Sequence, residues 1–352
     1  MAKLRAGILG ATGMVGQRFI QMLQGNDMFS VEAVIASERS AGKPYAEAAK
    51  WYLAGNIPTD IAELTVQPMK AKVAKENNLD IVFSAVPSAV AREIEGDFAE
   101  KIPVYSNTAT YRMDEDVPLL IAEVNPEHLG LVPAQQKRRG WEGYIVTNPN
   151  CSTIGLVIPL KPLFDSTIGI EEVITTTMQA VSGAGYDGVP SMAILDNMIP
   201  FIKNEEPKIE SETLKLLGSL GPGKIDYADF PVYANCNRIA VIDGHMESVI
   251  VKTREDFEVE EVKKIFEDFT PEPQQLKLPS APENAIVVFD DEDRPQPRRD
   301  RDLGGGMTVS VGRLDRKAEK VLRFTCLSHN TIIGAAGASI LNAELAAKKD
   351  LL

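Results

Sequence analysis

Apolar and polar residues follow one another along the first part of the chain in a pattern that predicts strands and helices in alternation. A short apolar run at residues 4–9 leads into a glycine-rich turn, and residues 17–23 then carry apolar side chains at helical spacing. Two further apolar runs, at residues 31–36 and 81–86, have the length of buried strands. Strands that alternate with helices favour a parallel sheet, so we expect an α/β domain here.

From about residue 150 the pattern changes. Residues 172–180 and 239–252 are rich in β-branched side chains with partial alternation, which predicts strands. Residues 191–203 and 211–217 between them have the character of helices. This order of elements predicts an α+β domain with a mixed or antiparallel sheet.

The end of this region carries weaker signals. Residues 271–306 are crowded with Pro, Asp, Arg and Gly and predict a long connection with an apolar insert at 285–289, although a plain linker fits equally well. Residues 334–348 predict a last helix whose small side chains allow close packing.

Length, composition and charge narrow the possible functions. A chain of 352 residues suits two domains, and 44% hydrophobic residues supply material for a real core. A net charge of −13 without a local basic stripe argues against a nucleic-acid partner. Three cysteines without C-x-x-C spacing, and no apolar run long enough for a bilayer or a signal peptide, predict a cytoplasmic protein with reduced thiols and no membrane partner. Only three histidines are present, so we expect no metal.

The first glycine turn has the spacing G-x-x-G-x-x-G between a strand and a helix. Gly10 and Gly13 would let the backbone approach a pyrophosphate, and the following helix would offer free N–H groups to it. Gly16 would let helix and strand pack closely. The turn therefore predicts a dinucleotide site; the alternative is a tight turn without a ligand.

The end of the second strand bears on which dinucleotide binds. NAD-binding domains usually place an acidic residue there for the ribose hydroxyl. In this chain Ser37, Arg39 and Ser40 offer hydrogen bonds and a charge suited to a 2′-phosphate, which favours NADP. Glu38 leaves NAD open, and an exposed polar loop without a ligand is the remaining alternative.

Cys151 follows the polar turn Asn148-Pro149-Asn150 and opens an apolar segment with helical spacing. A thiol at a helix N-terminus has its thiolate stabilised by the helix dipole, which predicts a nucleophile near neutral pH. Isolated cysteines are more often small buried hydrophobes, and we expect that of Cys236 and Cys326.

A cysteine nucleophile needs a proton-exchanging partner, and His245 is selected by elimination. His128 has the setting of a surface turn, and His329 adjoins the last helix. Arg238 and His245 are seven residues apart and would face opposite sides of one regular strand, so we expect a break at Gly244 to bring them to one site.

Several motifs in register resemble the aspartate-β-semialdehyde dehydrogenase family over nearly the whole chain. The motifs are GATGMVG at 10–16, NPNCST at 148–153, QAVSGAG at 179–185, NRIAVIDGH at 237–245, RPQPRRDRDLGGGM at 294–307 and NTIIGAAGAS at 330–339.

The resemblance implies roles for individual residues. Cys151 would be the nucleophile that forms a thioester, His245 the acid/base and Gln179 the residue that orients the acyl intermediate. Arg238 would grip the substrate α-carboxylate, for which a planar guanidinium is well suited. Further substrate contacts would come from Glu205 to the amino group, with Glu206 as its alternative, from Lys208 and Arg112 to phosphate, and from the Asn150 amide to the oxyanion. The last acidic and basic residues could equally form an ordinary solvated charge cluster.

The same resemblance implies a fold and a cofactor. We expect a Rossmann-type NADP-binding domain formed by residues 1–150 and 330–352, and an α+β catalytic and subunit-contact domain at 151–329. Residues expected at NADP are Gly10, Thr12, Gly13, Met14, Val15, Ser37, Arg39, Ser40, Ser84, Ser182, Gly183 and Asn330. A homodimer or homotetramer is expected from the family.

The implied reaction is the NADPH-dependent reduction of L-aspartyl-4-phosphate to L-aspartate 4-semialdehyde with release of phosphate, a step in lysine, threonine and methionine biosynthesis. A related malonyl-CoA reductase would keep the same cysteine, histidine and NADPH. A non-catalytic NADP sensor that has kept the fold is the alternative from another class of protein.

Overall fold

Two six-stranded sheets organise the computed structural model, which describes residues 2–352. The first sheet is entirely parallel, in the order β3-β2-β1-β4-β5-β6. Its strands are β1 (Leu4–Leu9), β2 (Phe29–Ala36), β3 (Gln67–Pro68), β4 (Ile81–Ser84), β5 (Val104–Ser106) and β6 (Ile145–Thr147). The predicted parallel α/β domain is confirmed.

The second sheet is mixed, in the order β10-β7-β11-β14-β13-β12. Neighbouring strands run antiparallel in its centre and parallel at its two edges. The remaining strands, including the separate hairpin β8–β9, are β7 (Ile170–Gln179), β8 (Ser219–Gly221), β9 (Lys224–Asp226), β10 (Val232–Arg238), β11 (His245–Thr253), β12 (Ile286–Phe289), β13 (Val309–Ala318) and β14 (Val321–Ser328). This confirms the predicted α+β class of the second half.

Helices cover the first sheet and one face of the second. They are α1 (Met14–Leu23), α2 (Tyr45–Ala48), α3 (Thr59–Ala62), α4 (Lys72–Glu76), α5 (Ser88–Ala99), α6 (Val132–Arg139), α7 (Cys151–Asp165), α8 (Ser191–Ile194), α9 (Glu205–Leu216), α10 (Val259–Glu267), α11 (Glu272–Gln275), α12 (Pro297–Asp300) and α13 (Gly337–Lys348). The 3-10 turns are Pro126–Leu131, Val181–Ala184 and Leu303–Gly306, and a π-turn at Ile332–Ala336 precedes the last helix. Within residues 2–352, no helix combines the length and the apolar character needed to cross a membrane.

The strand order creates the first half of the site. Chain connections leave the central pair β1 and β4 in opposite directions, so a crevice opens beyond their carboxyl ends. Both strands are buried hydrophobic segments, and α1 packs Phe19, Ile20 and Leu23 against the sheet. The glycine turn between β1 and α1 therefore lies at the crevice.

The last helix returns to the first sheet. The side chain of Asn342 accepts a hydrogen bond from the Ala122 N–H and donates one to the Leu120 carbonyl. Asn26 donates to the carboxylate of Glu344. Residues 337–346 are all buried, which explains why most of their side chains are apolar or small and why Asn342 and Glu344 are hydrogen-bonded.

Three expectations about elements need correction. The segment 239–252 is not one strand, because β10 ends at Arg238 and β11 begins at His245. The segment 191–203 is helical only over Ser191–Ile194, and the backbone of Asp196 is left-handed with φ +56°. The plain-linker alternative for 271–306 is wrong, because β12 pairs there with β13 along an edge of the second sheet.

Helix α9 begins at Glu205, six residues earlier than the predicted start at 211. Pro207 lies in the first turn of α9, where proline is tolerated because the N–H groups there have no partner inside the helix. Glu205 and Glu206 are favoured in the same turn by the helix dipole. This earlier start places two expected substrate residues on the helix.

Candidate active site

Cys151 is the first residue of α7, as the sequence predicts. Asn150 caps the helix: its Oδ1 atom accepts hydrogen bonds from the N–H groups of Ser152 at 2.9 Å and Thr153 at 3.3 Å. The N–H of Cys151 has no acceptor within the helix because it lies in the first turn. The first turn of α7 therefore carries both the thiol and a backbone donor that is free for a ligand.

His245 contacts the thiol directly, with Nε2 at 3.2 Å from Sγ of Cys151. The backbone N–H of Ala180 donates to the other ring nitrogen, Nδ1, at 3.0 Å. Since Nδ1 acts as an acceptor, the neutral imidazole carries its proton on Nε2 and points it at the sulfur. The histidine is thus oriented as a hydrogen-bond donor to Cys151.

Burial dominates the protonation of this pair. It raises the pKa of the Cys151 thiol to about 12, and the negative charge of Glu205 acts in the same direction. The positive charges of Arg238 and Arg112 oppose this rise only in part. Burial also holds the pKa of His245 well below its usual value, with Arg238 and His329 adding to the effect. Burial and the charge of Glu205 therefore act against the thiolate that the helix terminus favours.

The order of strands in the second sheet explains how Arg238, His245 and Gln179 meet. Strand β7 lies between β10 and β11, and Gln179 is its last residue. Arg238 is the register partner of Gln179 on one side. On the other side Met246 pairs with Met178, which sets His245 beside Gln179. Arg238 and His245 thus belong to different strands that flank β7, so their meeting does not depend on a break within one strand.

Gly244 still has a role at this junction. Its backbone is left-handed with φ +101°, and its N–H donates to the side chain of Asn330 at 2.8 Å. The amide of Asn330 donates in turn to the hydroxyl of Ser182 at 2.8 Å. Asn330 therefore ties the start of β11 to the turn that follows β7.

Arg238 is 7% exposed, and its Nη1 donates to the carbonyl of Ala180 at 2.7 Å. Gly183 lies against both functional side chains: a Cβ there would come within 2.9 Å of Arg238 Nη1 and 3.1 Å of His245 Nε2. A side chain at this position would press on the arginine and the histidine, so the glycine leaves room for both.

A carboxylate connects several site residues. Oε1 of Glu205 accepts from Nδ2 of Asn150 at 2.7 Å and from Nε2 of Gln179 at 3.1 Å. Its Oε2 pairs with Nζ of Lys208 at 3.3 Å. Glu205 is 7% exposed, so these contacts take place in a largely desolvated environment. The alternative that this is a solvated charge cluster does not fit its burial.

Gln179 is fully buried, and its Nε2 also donates to the hydroxyl of Ser152. Across the described part of the chain, no hydrogen-bond partner for its Oε1 is present. An unpartnered buried amide oxygen at the site is suited to accept from a bound ligand. Glu206, the alternative to Glu205, instead accepts from the backbone of Cys236 on β10.

Arg112 enters the site from the first half of the chain. It is 7% exposed and pairs with Glu212 on α9, with Nη1 at 3.0 Å from Oε1. Its Nη2 donates to the carbonyl of Asn107 at 3.0 Å. A guanidinium held in this way is a fixed cation beside the nucleophile.

Cys151, Asn150, Glu205, Lys208 and Arg112 line a cavity of about 670 Å³ between the two halves of the chain. His245 and Gln179 contact the lining residues Cys151 and Glu205 without lining the cavity themselves. Its walls come from the glycine turn, the segments after β4 and β5, the start of the Cys151 helix, α9 and the turn before the last helix. The lining residues include Gly13, Met14, Val15, Arg112, Asn150, Cys151, Ser182, Gly183, Glu205, Lys208 and Asn330. Part of the residues expected at the substrate and part of those expected at the cofactor thus line the same cavity.

The glycine turn has the shape that a dinucleotide phosphate requires. Gly10 has φ +80°, and a Cβ there would lie 2.6 Å from the Ala85 carbonyl oxygen. Helix α1 begins at Met14 without a side-chain cap and without an acidic residue in its first turn. Its free N–H groups and its dipole fit a phosphate group. Thr12 lies in this turn between the two glycines.

The other expected cofactor contacts have different settings. Ser37 and Arg39 are exposed directly after β2, and Ser40 follows them with its N–H donating to the Ser37 carbonyl. Ser84 does not line the cavity, because it is fully buried at the end of β4. The segment 85–88 lines the cavity in its place.

His128, Cys236 and Cys326 are buried residues outside the contact between Cys151 and His245. His128 is not a surface residue as expected: it is fully buried, with Nδ1 at 2.7 Å from the Asn125 amide and Nε2 at 3.1 Å from the Gly218 carbonyl. The hairpin β8–β9 covers its turn, which no local pattern could show. Cys236 and Cys326 are each 1% exposed, as expected of buried thiols.

Comparisons with known proteins agree with this geometry. The model for the semialdehyde dehydrogenase NAD binding domain matches residues 5–132, and the model for the semialdehyde dehydrogenase dimerisation domain matches residues 160–333. The aspartate-semialdehyde dehydrogenase of Methanothermobacter thermautotrophicus is 54% identical, over 97% of this chain and 98% of its own. The chain belongs to the aspartate-semialdehyde dehydrogenase family.

Other aspartate-semialdehyde dehydrogenases extend the match. The enzyme of Archaeoglobus fulgidus is 53% identical over 98% of both chains. The crystal structure of the Candida albicans aspartate-semialdehyde dehydrogenase with NADP has a TM-score of 0.91 at 42% identity and covers both chains completely. The family resemblance and the fold class predicted from the sequence are confirmed.

One buried group of this site lies outside the sequence motifs that resemble the family. Glu212, which holds Arg112, lies on the same helix as Glu205 and Lys208. Positions 205, 208 and 212 follow the three-and-four spacing of a helix face, so the signal was present. It was hidden because the helix was expected to begin at residue 211.

Proposed function

We propose that this chain catalyses the NADPH-dependent reductive dephosphorylation of L-aspartyl-4-phosphate to L-aspartate 4-semialdehyde through a thioester on Cys151. Family membership supports the reaction class. The 3.2 Å contact between Cys151 Sγ and His245 Nε2 at the start of a helix is the observation that carries the mechanism. This intact pair argues against a non-catalytic NADP sensor.

Charged side chains of the site match the charges of the substrate. Arg238 would hold the α-carboxylate, and Glu205 the ammonium group, since a carboxylate has room for further donors beside those it already accepts. Lys208 and Arg112 line the cavity beside Cys151 and would hold the phosphate. These contacts would place the acyl carbon near the sulfur. Because Lys208 and Arg112 would bind a phosphate group, they favour an acyl phosphate substrate over the thioester of malonyl-CoA.

The first step is attack of the Cys151 sulfur on the acyl carbon. The carbon–sulfur bond forms, the carbon–oxygen bond to phosphate breaks, and in the net step the thiol proton leaves with phosphate. The Nε2–H of His245 donates to the sulfur and so stabilises its thiolate form. The N–H of Cys151 and the amide of Asn150 would stabilise the oxyanion.

The second step reduces the thioester and releases the aldehyde. NADPH, when bound, supplies a hydride for this step. Carbon–sulfur cleavage then returns the electron pair to Cys151, and the His245 Nε2–H again stabilises the thiolate that is released. Gln179 would hold the acyl group, exchanging its present contacts with Ser152 or Glu205 for the substrate.

The residues that we propose to bind NADP lie in the glycine turn, after β2 and in the wall of the cavity. Gly10, Gly13 and the start of α1 would hold the pyrophosphate. Ser37, Arg39 and Ser40 would hold the 2′-phosphate, and Ser182, Gly183 and Asn330 would line the nicotinamide end. We also keep the division into a cofactor domain at 1–150 and 330–352 and a catalytic domain at 151–329, which the return of α13 to the first sheet supports.

A homodimer is the assembly that the exposed surface supports. Large apolar side chains are exposed on the segment after β7, including Met192 at 88%, Leu195 at 63% and Phe201 at 63%. Tyr233 on β10 is 53% exposed on the open face of the second sheet. Exposed apolar side chains of this size suit a subunit contact, and the family model for this region carries a dimerisation name. We also infer a cytoplasmic location, since the site needs Cys151 reduced.

The test follows NADPH formation at its absorbance maximum with purified protein, L-aspartate 4-semialdehyde, phosphate and NADP. We expect phosphate-dependent turnover that is lost in Cys151→Ala and kept in Cys326→Ala, which removes a buried thiol on β14. If the protein oxidises NADPH with malonyl-CoA but is inactive towards L-aspartate 4-semialdehyde, malonyl-CoA would be its substrate instead. Inactivity towards both substrates in a folded protein would contradict the proposal.

A further inference from the structure

Glu212 joins two parts of the site, the loop of Arg112 and the start of the Cys151 helix. Its Oε1 accepts from Arg112 Nη1 at 3.0 Å, and its Oε2 accepts from the backbone N–H of Asn150 at 2.6 Å. Asn150 is the cap of the Cys151 helix. One carboxylate therefore holds both Arg112, the cation proposed to bind phosphate, and the start of the helix that carries Cys151.

Burial makes these contacts demanding. Glu212 is 1% exposed and Arg112 is 7% exposed, so neither charge can turn to solvent. A buried ion pair is tolerated only when both partners are well placed and hydrogen-bonded. Both oxygens of Glu212 have a donor, and each donor belongs to the site.

The loop that carries Arg112 is fixed by the same helix. Lys215 is fully buried, and its Nζ donates to the carbonyls of Arg112 at 2.7 Å, Asp114 at 2.9 Å and Val117 at 3.0 Å. Lys215 and Glu212 are three residues apart and share a face of α9. The backbone and the guanidinium of Arg112 are thus both held by α9.

We propose that Glu212 is a positioning residue for phosphate: it fixes the Arg112 guanidinium relative to the Asn150 cap, and so sets the distance between the bound phosphate and the Cys151 sulfur. This inference rests on the proposed function, because it takes phosphate as the ligand of Arg112. Glu212 itself acts through Arg112 and Asn150.

The amide variant Glu212→Gln removes the pairing while it keeps the size. A glutamine presents one oxygen and one NH₂ group, so one of the two donors, Arg112 Nη1 or Asn150 N–H, must face another donor. We expect KM for phosphate to rise by about tenfold or more, as for loss of a charge-assisted hydrogen bond. KM for L-aspartate 4-semialdehyde and the Kd for NADP should change less than about threefold, because Arg238 and the glycine turn do not contact Glu212.

Glu210→Gln is the matched control on the same helix. Its carboxylate accepts from the backbone of Ala234 on β10, at 3.2 Å, and does not line the cavity. Its kinetic constants should equal those of the unaltered protein. If Glu212→Gln does not fold, Glu212→Asp keeps the charge on a shorter arm and should raise KM for phosphate alone.

A double-mutant cycle with Arg112→Lys separates positioning from general destabilisation. Glu212→Gln should raise KM for phosphate much less in the Arg112→Lys background than in the original one, because lysine lacks the planar fork that contacts Glu212 and the Asn107 carbonyl together. Equal effects in both backgrounds, or an unchanged KM for phosphate in Glu212→Gln and Glu212→Asp, would overturn the inference. Absence of phosphate-dependent turnover in the unaltered protein would instead overturn the proposed function.

Discussion

The backbone N–H of Ala180 donates a 3.0 Å hydrogen bond to Nδ1 of His245, and thereby decides what His245 can do for Cys151. With Nδ1 occupied as an acceptor, protonation of the ring there would set two donors against each other. His245 is therefore held as a neutral imidazole with its proton on Nε2, and this nitrogen lies 3.2 Å from the Cys151 sulfur. These contacts favour a neutral His245 that donates a hydrogen bond to the Cys151 sulfur over an ion pair of thiolate and imidazolium.

This relationship predicts the nitrogen NMR signals of His245. We expect a neutral ring protonated at Nε2 between about pH 6 and pH 9, because burial holds the pKa of His245 well below its usual value. His128 is an internal reference, since its Nδ1 faces the Asn125 amide and its Nε2 the Gly218 carbonyl, which selects the same tautomer. The His245→Gln variant assigns the signals. An imidazolium signal for His245 at neutral pH would show that a thiolate–imidazolium pair forms instead.

The reactivity of Cys151 should depend steeply on pH. Burial raises the pKa of its thiol to about 12, so the thiolate fraction grows about tenfold each time the pH rises by one, well below that value. The rate of alkylation by iodoacetamide should therefore rise between about pH 6 and pH 9 without a plateau. Cys151→Ala gives the background from the two buried cysteines. A rate that levels off near neutral pH would show that the helix terminus outweighs burial.

Arg238→Lys should impair recognition of the amino acid and leave the cofactor unaffected. Lysine keeps the charge but lacks the planar fork that can hold the Ala180 carbonyl and a carboxylate together. We expect kcat/KM for L-aspartate 4-semialdehyde to fall by about 10- to 100-fold, as when one buried charged contact is lost. Binding of NADP, followed by fluorescence titration, should be unchanged. Equal losses in NADP affinity would indicate that the variant disturbs the fold.

Glu247 predicts a pH-dependent stability that does not involve catalysis. It lies on β11, is 1% exposed, and accepts a hydrogen bond from the Thr175 hydroxyl at 3.0 Å. Burial raises the pKa of its carboxyl from 4.5 to about 8. Since the folded state binds the proton more tightly than the unfolded state, Glu247 lowers stability progressively as pH rises from about 4.5 to about 8.

Glu247→Gln should remove this dependence. The free energy of unfolding changes by about 1.4 kcal/mol when the folded and unfolded pKa of a group differ by one, so the cost of the ionised carboxyl at about pH 8.5 is on the order of a few kcal/mol. We expect a higher Tm for the variant than for the unaltered protein at about pH 8.5 and nearly equal values at about pH 5. The measurement is differential scanning calorimetry at both pH values. A Tm difference that is the same at both would mean that Glu247 does not titrate in this range.

Local patterns in the sequence predicted most of the fold and the position of Cys151 at the start of a helix. The glycine turn, the strand lengths and the small residues of the last helix predicted the parallel domain, because these patterns report backbone geometry and burial within a few residues. The polar turn before Cys151 predicted the helix start in the same way. Roles for Gln179, Glu205 and Lys208 came from the family resemblance, and their spacing alone would not have assigned them.

Other features depended on contacts between distant segments. The sequence determined that Cys151 opens a helix, but the thiol's high pKa follows from desolvation by segments far along the chain. It offered His245 and Arg238 as candidates, yet only the placement of β7 between β10 and β11 brings them to Gln179. The link from Arg112 through Glu212 to Asn150 likewise joins residues that are far apart in sequence. Periodicity and capping act over a few residues, whereas burial, charge pairing and strand order are properties of the packed chain, so only the tertiary structure could decide them.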